Sequence, residues 1–124
     1  VSRGLGDVYK RQVCDYYSGM QVLVPLDLKL AGTSAEAAAA GIADYYKEGA
    51  TVSVHALNEP LPENGLCSNA LSGSDRMELY MTVNAAGDQM MLVSLFDNLG
   101  KGSSGAAIQC MNLMLGMNET EGLE

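Results

Sequence analysis

The sequence predicts an α+β fold with a mixed or antiparallel sheet in the order β-α-β-β-β-α. Apolar and polar residues alternate over 20–30 and 77–83, which is the period of a half-buried strand. The segment 35–47 is rich in alanine, the strongest helix former. Three strand-like segments then follow one another without a helix between them. This order excludes a chain of alternating βα units.

The first predicted strand covers 20–30. Its one face carries only apolar side chains, which are Met20, Val22, Val24, Leu26, Leu28 and Leu30. Pro25 has no N–H to donate to a neighbouring strand, so this strand is expected at a sheet edge or with a bulge.

The helix that follows has a predicted start and end. Thr33 is the expected N-cap, and Glu36 three residues later completes a capping box. The helix is expected to run to Lys47, with Gly49 just beyond it. The second strand is predicted at Thr51–Leu57.

Segment 58–74 contains two prolines and two glycines and is predicted to be a long loop that is functional or packed on the domain. The third strand is expected at 77–83, and a hairpin loop at 84–88 contains Gly87. The fourth strand, Met90–Phe96, is apolar on both faces. It is therefore expected in the centre of the sheet, covered on both sides.

The last helix is predicted to start near Ser103 or Ser104 and to end at Gly116. Apolar residues occupy nearly its whole circumference, and only Gln109 and Asn112 form a polar stripe. Such a helix is expected to be buried all round. Because one sheet covers one side only, a second layer from another domain or a partner is expected.

Composition limits the possible functions. The 124 residues suffice for one domain, and the formal net charge is −8. An acidic chain is not expected to bind nucleic acid or an anionic membrane surface. Three cysteines at wide spacing fit a reducing compartment, which favours a cytoplasmic location.

Residues 1–12 differ from the rest of the chain. They carry three basic groups and one acidic group, a charge of +2, whereas the remaining four basic and fourteen acidic groups sum to −10. We interpret 1–12 as a non-native, adaptor-derived segment, with a natural flexible arm as the alternative. The domain is then expected to comprise 13–124.

The titratable residues show no metal-binding spacing, so no metal site is expected. His55, the single histidine, is expected to be a solvated residue on the polar face of a strand. Cys110 is expected in the core of the last helix, and Cys67 in a loop with no basic or histidine neighbour. The eight methionines are expected mostly on core faces.

The turn 97–102 connects the fourth strand to the last helix. Gly100 and Gly102 are expected to take positive φ there. A glycine-rich turn before a helix exposes backbone N–H groups, although the residues alone favour a tight strand-to-helix connection without a ligand. Asn98 offers a donor and an acceptor that match a carboxamide. The alternative is that Asn98 only caps the turn through an Asx bond.

The tail LFDNLGKGSSGAAIQCMNLMLGMNETEGL, residues 95–123, closely resembles the C-terminal signature of the N-acetyl-γ-glutamyl-phosphate reductases. The segments YYSGMQVLVPL, 16–26, and CSNALSGSDRMELYM, 67–81, are also similar to that family. Departures are Ser103, Ser104 and Cys110, and Ser18 stands where the family commonly has arginine. A substrate-phosphate role for the segment around Ser18 is therefore in doubt.

The resemblance implies the C-terminal part of an NADPH-dependent reductase of arginine biosynthesis. In such an enzyme a cysteine thiolate attacks the acyl phosphate, phosphate leaves, and hydride reduces the resulting thioester to a semialdehyde. The resemblance also implies a catalytic and dimerisation domain like that of the glyceraldehyde-3-phosphate-dehydrogenase-like reductases, a dinucleotide-binding domain upstream, and a homo-oligomer.

Residue roles follow only where the motifs match. The resemblance places Asn98, with Lys101 and Gly102 of the same turn, at the NADP site. The family's catalytic cysteine and histidine lie upstream of Tyr16, so no catalytic residue is assigned in this chain.

Two alternatives remain open. One is a related acyl-phosphate reductase that acts on an aminoadipyl or aspartyl phosphate. The other is a non-enzymatic α+β module that binds a ligand or forms dimers.

Overall fold

The computed structural model describes residues 14–123, so the interpretation of residues 1–12 falls outside the described part. The elements are β1 (Met20–Asp27), α1 (Leu28–Ala31), α2 (Ala35–Tyr46), β2 (Val52–Leu57), β3 (Met77–Val83), β4 (Gln89–Phe96), a π-helical turn (Gly100–Ser104) and α3 (Gly105–Met114). The sheet order is β1-β4-β3-β2. β4 pairs antiparallel with both neighbours and β2 pairs parallel with β3, so the predicted α+β fold with a mixed sheet is confirmed.

β1 lies at the edge of the sheet, as Pro25 predicts. The strand ends at Asp27, however, so the predicted extension to Leu30 is wrong. The Asp27 carboxylate accepts a hydrogen bond of 2.9 Å from the Leu30 N–H and caps α1. Leu28 is consequently buried at 2% exposure, whereas Leu30 is 88% exposed.

Ser34 caps α2, so the predicted N-cap Thr33 is wrong. The Ser34 hydroxyl accepts from the Ala37 N–H at 3.2 Å, and Ser34 has extended dihedrals (φ −95°, ψ 163°). The Thr33 hydroxyl instead donates to the Ser34 carbonyl. The helix ends at Tyr46, one residue before the predicted end.

One face of the sheet packs against α2. The buried residues there are Leu28, Ala35, Ala39, Met81 and Met90. Alanine at both helix positions lets α2 lie close to the sheet, because no longer side chain separates them.

The long loop after β2 covers the opposite face. Leu66 and Leu71 of this loop pack against Tyr80, Val93 and Leu95. β4 is therefore central and covered on both faces, as predicted, and the loop is packed on the domain.

α3 buries its polar stripe and exposes much of its apolar surface. Asn112, from the polar stripe, is 2% exposed, and its amide donates to the carbonyl oxygens of Glu119 (3.2 Å) and Glu121 (2.8 Å). Four apolar residues near the end of the helix are exposed by 50% to 86%: Met111, Leu113, Met114 and Leu115. Within the described chain α3 is therefore not buried all round, and the expected core position of Cys110 is wrong. The cover of these exposed residues by another domain or a partner stays a prediction.

The tail after α3 determines which side of this helix is buried. Residues 117–123 fold back beneath the amide stripe, where backbone carbonyls need donors that an apolar side chain cannot supply. No helix in the described part of the chain is long and apolar enough to cross a membrane.

We predict that Asn112→Leu lowers the free energy of unfolding by about 1–3 kcal/mol, because two tail carbonyls lose their donor. Urea unfolding of the chain measures the change. Leu113→Asn, on the exposed side of the same helix, is the matched control and is expected to change stability little. The opposite ranking of the two variants would contradict this orientation of α3.

Candidate functional site

Three segments meet at one end of the sheet. β1 begins and β4 ends there, because Met20 pairs with Phe96 in the antiparallel ladder. β3 begins at the same level, with Met77 opposite Phe96. The turn after β4, the residues before β1 and the end of the long loop are therefore neighbours, although they are far apart in sequence.

Asp97 is the centre of this cluster. Its carboxylate is 2% exposed and accepts from the Ser18 hydroxyl (2.9 Å), the Gly73 N–H (2.5 Å), the Leu99 N–H (2.7 Å) and the Gly100 N–H (3.4 Å). Burial alone would raise the pKa of Asp97, but these hydrogen bonds outweigh burial and lower it below its ordinary value. The sequence signal for this role is an aspartate that directly follows a buried strand and precedes a glycine-containing turn.

Asn98 is half-buried beside Asp97. Its side-chain oxygen accepts from the Gly19 N–H at 2.8 Å. The Asx-type bond of the turn, which was the alternative role for Asn98, is made by Asp97 to the Leu99 N–H. Within residues 14–123 the Nδ2 amide group of Asn98 has no hydrogen-bond partner.

Position 19 requires glycine for two reasons. Its φ is +121°, and a Cβ there would lie 2.6 Å from the Ser68 carbonyl oxygen. Only glycine fits between the loop and Asn98 here and still lets its N–H reach the Asn98 oxygen.

The glycines of the π-helical turn serve a different purpose from the one expected. Neither Gly100 nor Gly102 has positive φ, so that expectation is wrong. A Cβ on Gly100 would lie 2.7 Å from the Ser74 carbonyl oxygen, and one on Gly102 would lie 3.0 Å from the Phe96 ring. The residues are small because the loop and the strand pack directly against the turn. The α-helix itself begins at Gly105, just after the predicted start.

Lys101 points away from Asn98. Its ammonium donates to the Thr51 hydroxyl (2.7 Å) and to the Gln109 side-chain oxygen (2.5 Å). These bonds tie the start of β2 to α3. The three residues predicted at the NADP site thus share one turn, but the side chains of Asn98 and Lys101 bind different parts of the chain.

A cavity of about 380 Å³ opens next to the turn. Its lining residues include three serines, two aspartates and two glycines: Ser18, Ser72, Ser104, Asp75, Asp97, Gly73 and Gly100. Asn98, Lys101 and Gly102 do not line it. Because two acidic residues and no basic residue line the cavity, it does not suit an anion.

His55 belongs to a separate cluster on the edge strand β2. Its ring stacks on Tyr80 with centroids 3.9 Å apart, and Nδ1 lies 3.0 Å from a Glu59 oxygen. Burial, together with the hydrogen bond to Glu78, raises the pKa of Tyr80 to about 12. The expectation of a solvated histidine is therefore wrong.

The cysteines and the other residues that could bind a metal form no second cluster among the described residues. Cys14, Cys67 and Cys110 are exposed and unpaired. Among residues 14–123 no group of three or more His, Cys, Asp or Glu is placed to hold a metal ion.

Comparison with known proteins agrees with the tail motif. A Burkholderia orbicola N-acetyl-γ-glutamyl-phosphate reductase is 40% identical over 103 residues, which is 82% of this chain. The Burkholderia ambifaria enzyme is 41% identical over 104 residues. The chain is thus similar to N-acetyl-γ-glutamyl-phosphate reductases over most of its own length.

A Rhizobium meliloti N-acetyl-γ-glutamyl-phosphate reductase is 39% identical over 110 residues, or 87% of the chain. The predicted resemblance is confirmed. The chain spans about a third of the length of these curated reductases, 33% to 36%. No family model matches the chain.

We predict that the stability contributed by Asp97 is lost in acid. Because its pKa is lowered in the folded chain, the ionised carboxylate stabilises the fold at pH values above its ordinary pKa of about 4. That stability falls as the pH drops through the lower folded-state value. Urea unfolding between pH 7 and pH 2 measures this.

In Asp97→Asn, this acid-dependent component should be missing, and stability at neutral pH should be lower. Asp88→Asn is the control, because Asp88 also has a lowered pKa but sits in an exposed pair with Lys29. Equal pH profiles for wild type and Asp97→Asn would contradict the prediction.

We predict that Gly100→Ala destabilises the chain by about 1–3 kcal/mol, because the Ser74 backbone cannot move aside cheaply. Gly41→Ala is the matched control: Gly41 lies in α2, where a Cβ meets nothing within 4 Å. That change is expected to stabilise by about 0.5–1 kcal/mol. Thermal melting of both variants tests the difference in sign.

Proposed function

We propose that the chain is the C-terminal part of the catalytic domain of an NADPH-dependent N-acetyl-γ-glutamyl-phosphate reductase. The complete enzyme would convert N-acetyl-γ-glutamyl phosphate to N-acetylglutamate semialdehyde and phosphate in arginine biosynthesis. The observation that carries this proposal is the identity of 39–41% to named reductases over at least 82% of the chain. The proposal extends to a cytoplasmic homo-oligomer.

The fold supports the same proposal. Its mixed sheet, with a helix on one face, agrees with the β-α-β-β-β-α half of a glyceraldehyde-3-phosphate-dehydrogenase-like catalytic domain. We assign the dinucleotide-binding domain to a part of the longer reductase outside this chain.

The turn after β4 is the proposed contact with the nicotinamide end of NADPH, which would supply hydride to the reduction. Asn98 suits this contact because its oxygen is held by Gly19 and its Nδ2 group has no partner among the described residues. A carboxamide oxygen is the acceptor that such a donor fits. Lys101 and Gly102 belong to the same proposed site: Gly102 keeps the turn against Phe96, and Lys101 ties the turn to β2.

The nucleophilic cysteine and the acid–base histidine are proposed to come from another part of the longer reductase. Each cysteine described here is exposed, and His55 is engaged with Glu59 and Tyr80 at the opposite edge of the sheet from β1. The proposed task of this chain is to orient the cofactor and to complete the sheet of the catalytic domain.

A hybrid enzyme tests the function. The matching residues of the Rhizobium meliloti reductase are replaced by residues 14–123 of this chain, and NADP reduction is followed with N-acetylglutamate semialdehyde and phosphate. We expect kcat/KM of the hybrid to lie within about tenfold of the parent reductase. An imperfect fit between the exchanged part and its neighbours costs on the order of 1 kcal/mol, and about 1.4 kcal/mol corresponds to tenfold in rate. A folded hybrid that binds NADPH but shows no turnover would contradict the proposal.

In the same hybrid and assay, Asn98→Ala should raise KM for NADP by about 5- to 100-fold, the equivalent of one lost hydrogen bond to the cofactor. Asn118→Ala, in the exposed tail, is the control and should leave KM unchanged. An Asn98→Ala hybrid with unchanged kinetics per folded molecule would show that Asn98 does not contact the cofactor.

A further inference from the structure

The side-chain amide of Asn98 has one fixed orientation, and the residues that fix it are themselves held by a neighbour. The Gly19 N–H bonds to the Asn98 oxygen at 2.8 Å, so Nδ2 is the group left to donate. Gly19 directly follows Ser18, whose hydroxyl donates to the Asp97 carboxylate at 2.9 Å. Asp97 in turn precedes Asn98 in the chain.

Asp97 therefore fixes both segments that form the hydrogen bond between the Gly19 N–H and the Asn98 oxygen. One carboxylate oxygen binds the Ser18 hydroxyl and the Gly73 N–H, which fixes the approach to β1 and the long loop. The other oxygen binds the Leu99 and Gly100 N–H groups, which fixes the turn. At 2% exposure the carboxylate is shielded from water that could substitute for these bonds.

We infer that Asp97 is a positioning residue that sets the direction of the Asn98 amide toward the nicotinamide carboxamide. This inference rests on the proposed function, because it acts through the Asn98 contact with NADP. Asp97 itself touches neither substrate nor cofactor in this arrangement. Ser18 shares the task, since its hydroxyl connects Asp97 to the segment that presents Gly19.

A double-mutant cycle in the complete reductase that carries this chain tests the inference. Asn98→Ala, Asp97→Asn and the double variant are compared with wild type by steady-state KM for NADPH and by kcat. We expect each single variant to raise KM by about tenfold, a loss comparable to one hydrogen bond. The double variant should be no worse than Asn98→Ala alone, because Asp97 acts only through Asn98.

Multiplied effects in the double variant would overturn the positioning role and leave the reductase function standing. Unchanged KM in Asp97→Asn, together with a lowered melting temperature, would show a merely structural role and would also overturn it. Wild-type protein without reductase activity would instead refute the proposed function. Asp88→Asn, at the opposite end of β4, is the control and should leave KM unchanged.

A milder variant covers the case in which Asp97→Asn does not fold. Ser18→Ala removes one hydrogen bond to Asp97 and should raise KM in the same direction by about threefold, a fraction of one hydrogen bond. Hydrogen exchange of the Gly19 amide gives a second readout: it should become faster in Ser18→Ala, because the contact with Asn98 loosens. Unchanged exchange and KM in Ser18→Ala would overturn the inference.

Discussion

The hydrogen bonds of the buried Asp97 carboxylate hold together the end of the sheet where β1 begins and β4 ends, and the candidate site depends on them. Four donors from three separated segments meet on its two oxygens. An unpaired carboxylate at 2% exposure would be costly, so each donor is needed to keep the charge in place. The approach to β1, the long loop and the turn after β4 are thus joined by hydrogen bonds to one buried charge.

Close backbone approach is the second constraint, and it explains the glycines. Gly100 faces the Ser74 carbonyl, and Gly19 faces the Ser68 carbonyl. Both contacts bring the long loop against elements that carry the candidate site. The π-helical turn belongs to the same arrangement, because its widened hydrogen bonds, such as Gly102 N–H to the Asp97 carbonyl, let the chain leave β4 without a longer connection.

Local patterns predicted much of the fold. Alternation located β3, and the loop at Asn84–Asp88 was expected where the structure has it. One error arose where two polar side chains competed for one role, as Thr33 and Ser34 did at the start of α2. Asn98 was identified through a family motif, whereas Asp97 was missed because its donors Ser18 and Gly73 come from distant segments.

α3 shows why periodicity alone could not predict which side of a helix is buried. Its apolar surface exceeds what the described chain can cover, and the tail offers carbonyls that only the amide side can satisfy. A hydrophobic contact is non-directional, whereas an unsatisfied buried carbonyl requires one particular donor. The few polar residues therefore decided the orientation of α3, and its apolar side, from Met111 to Leu115, was left at the surface.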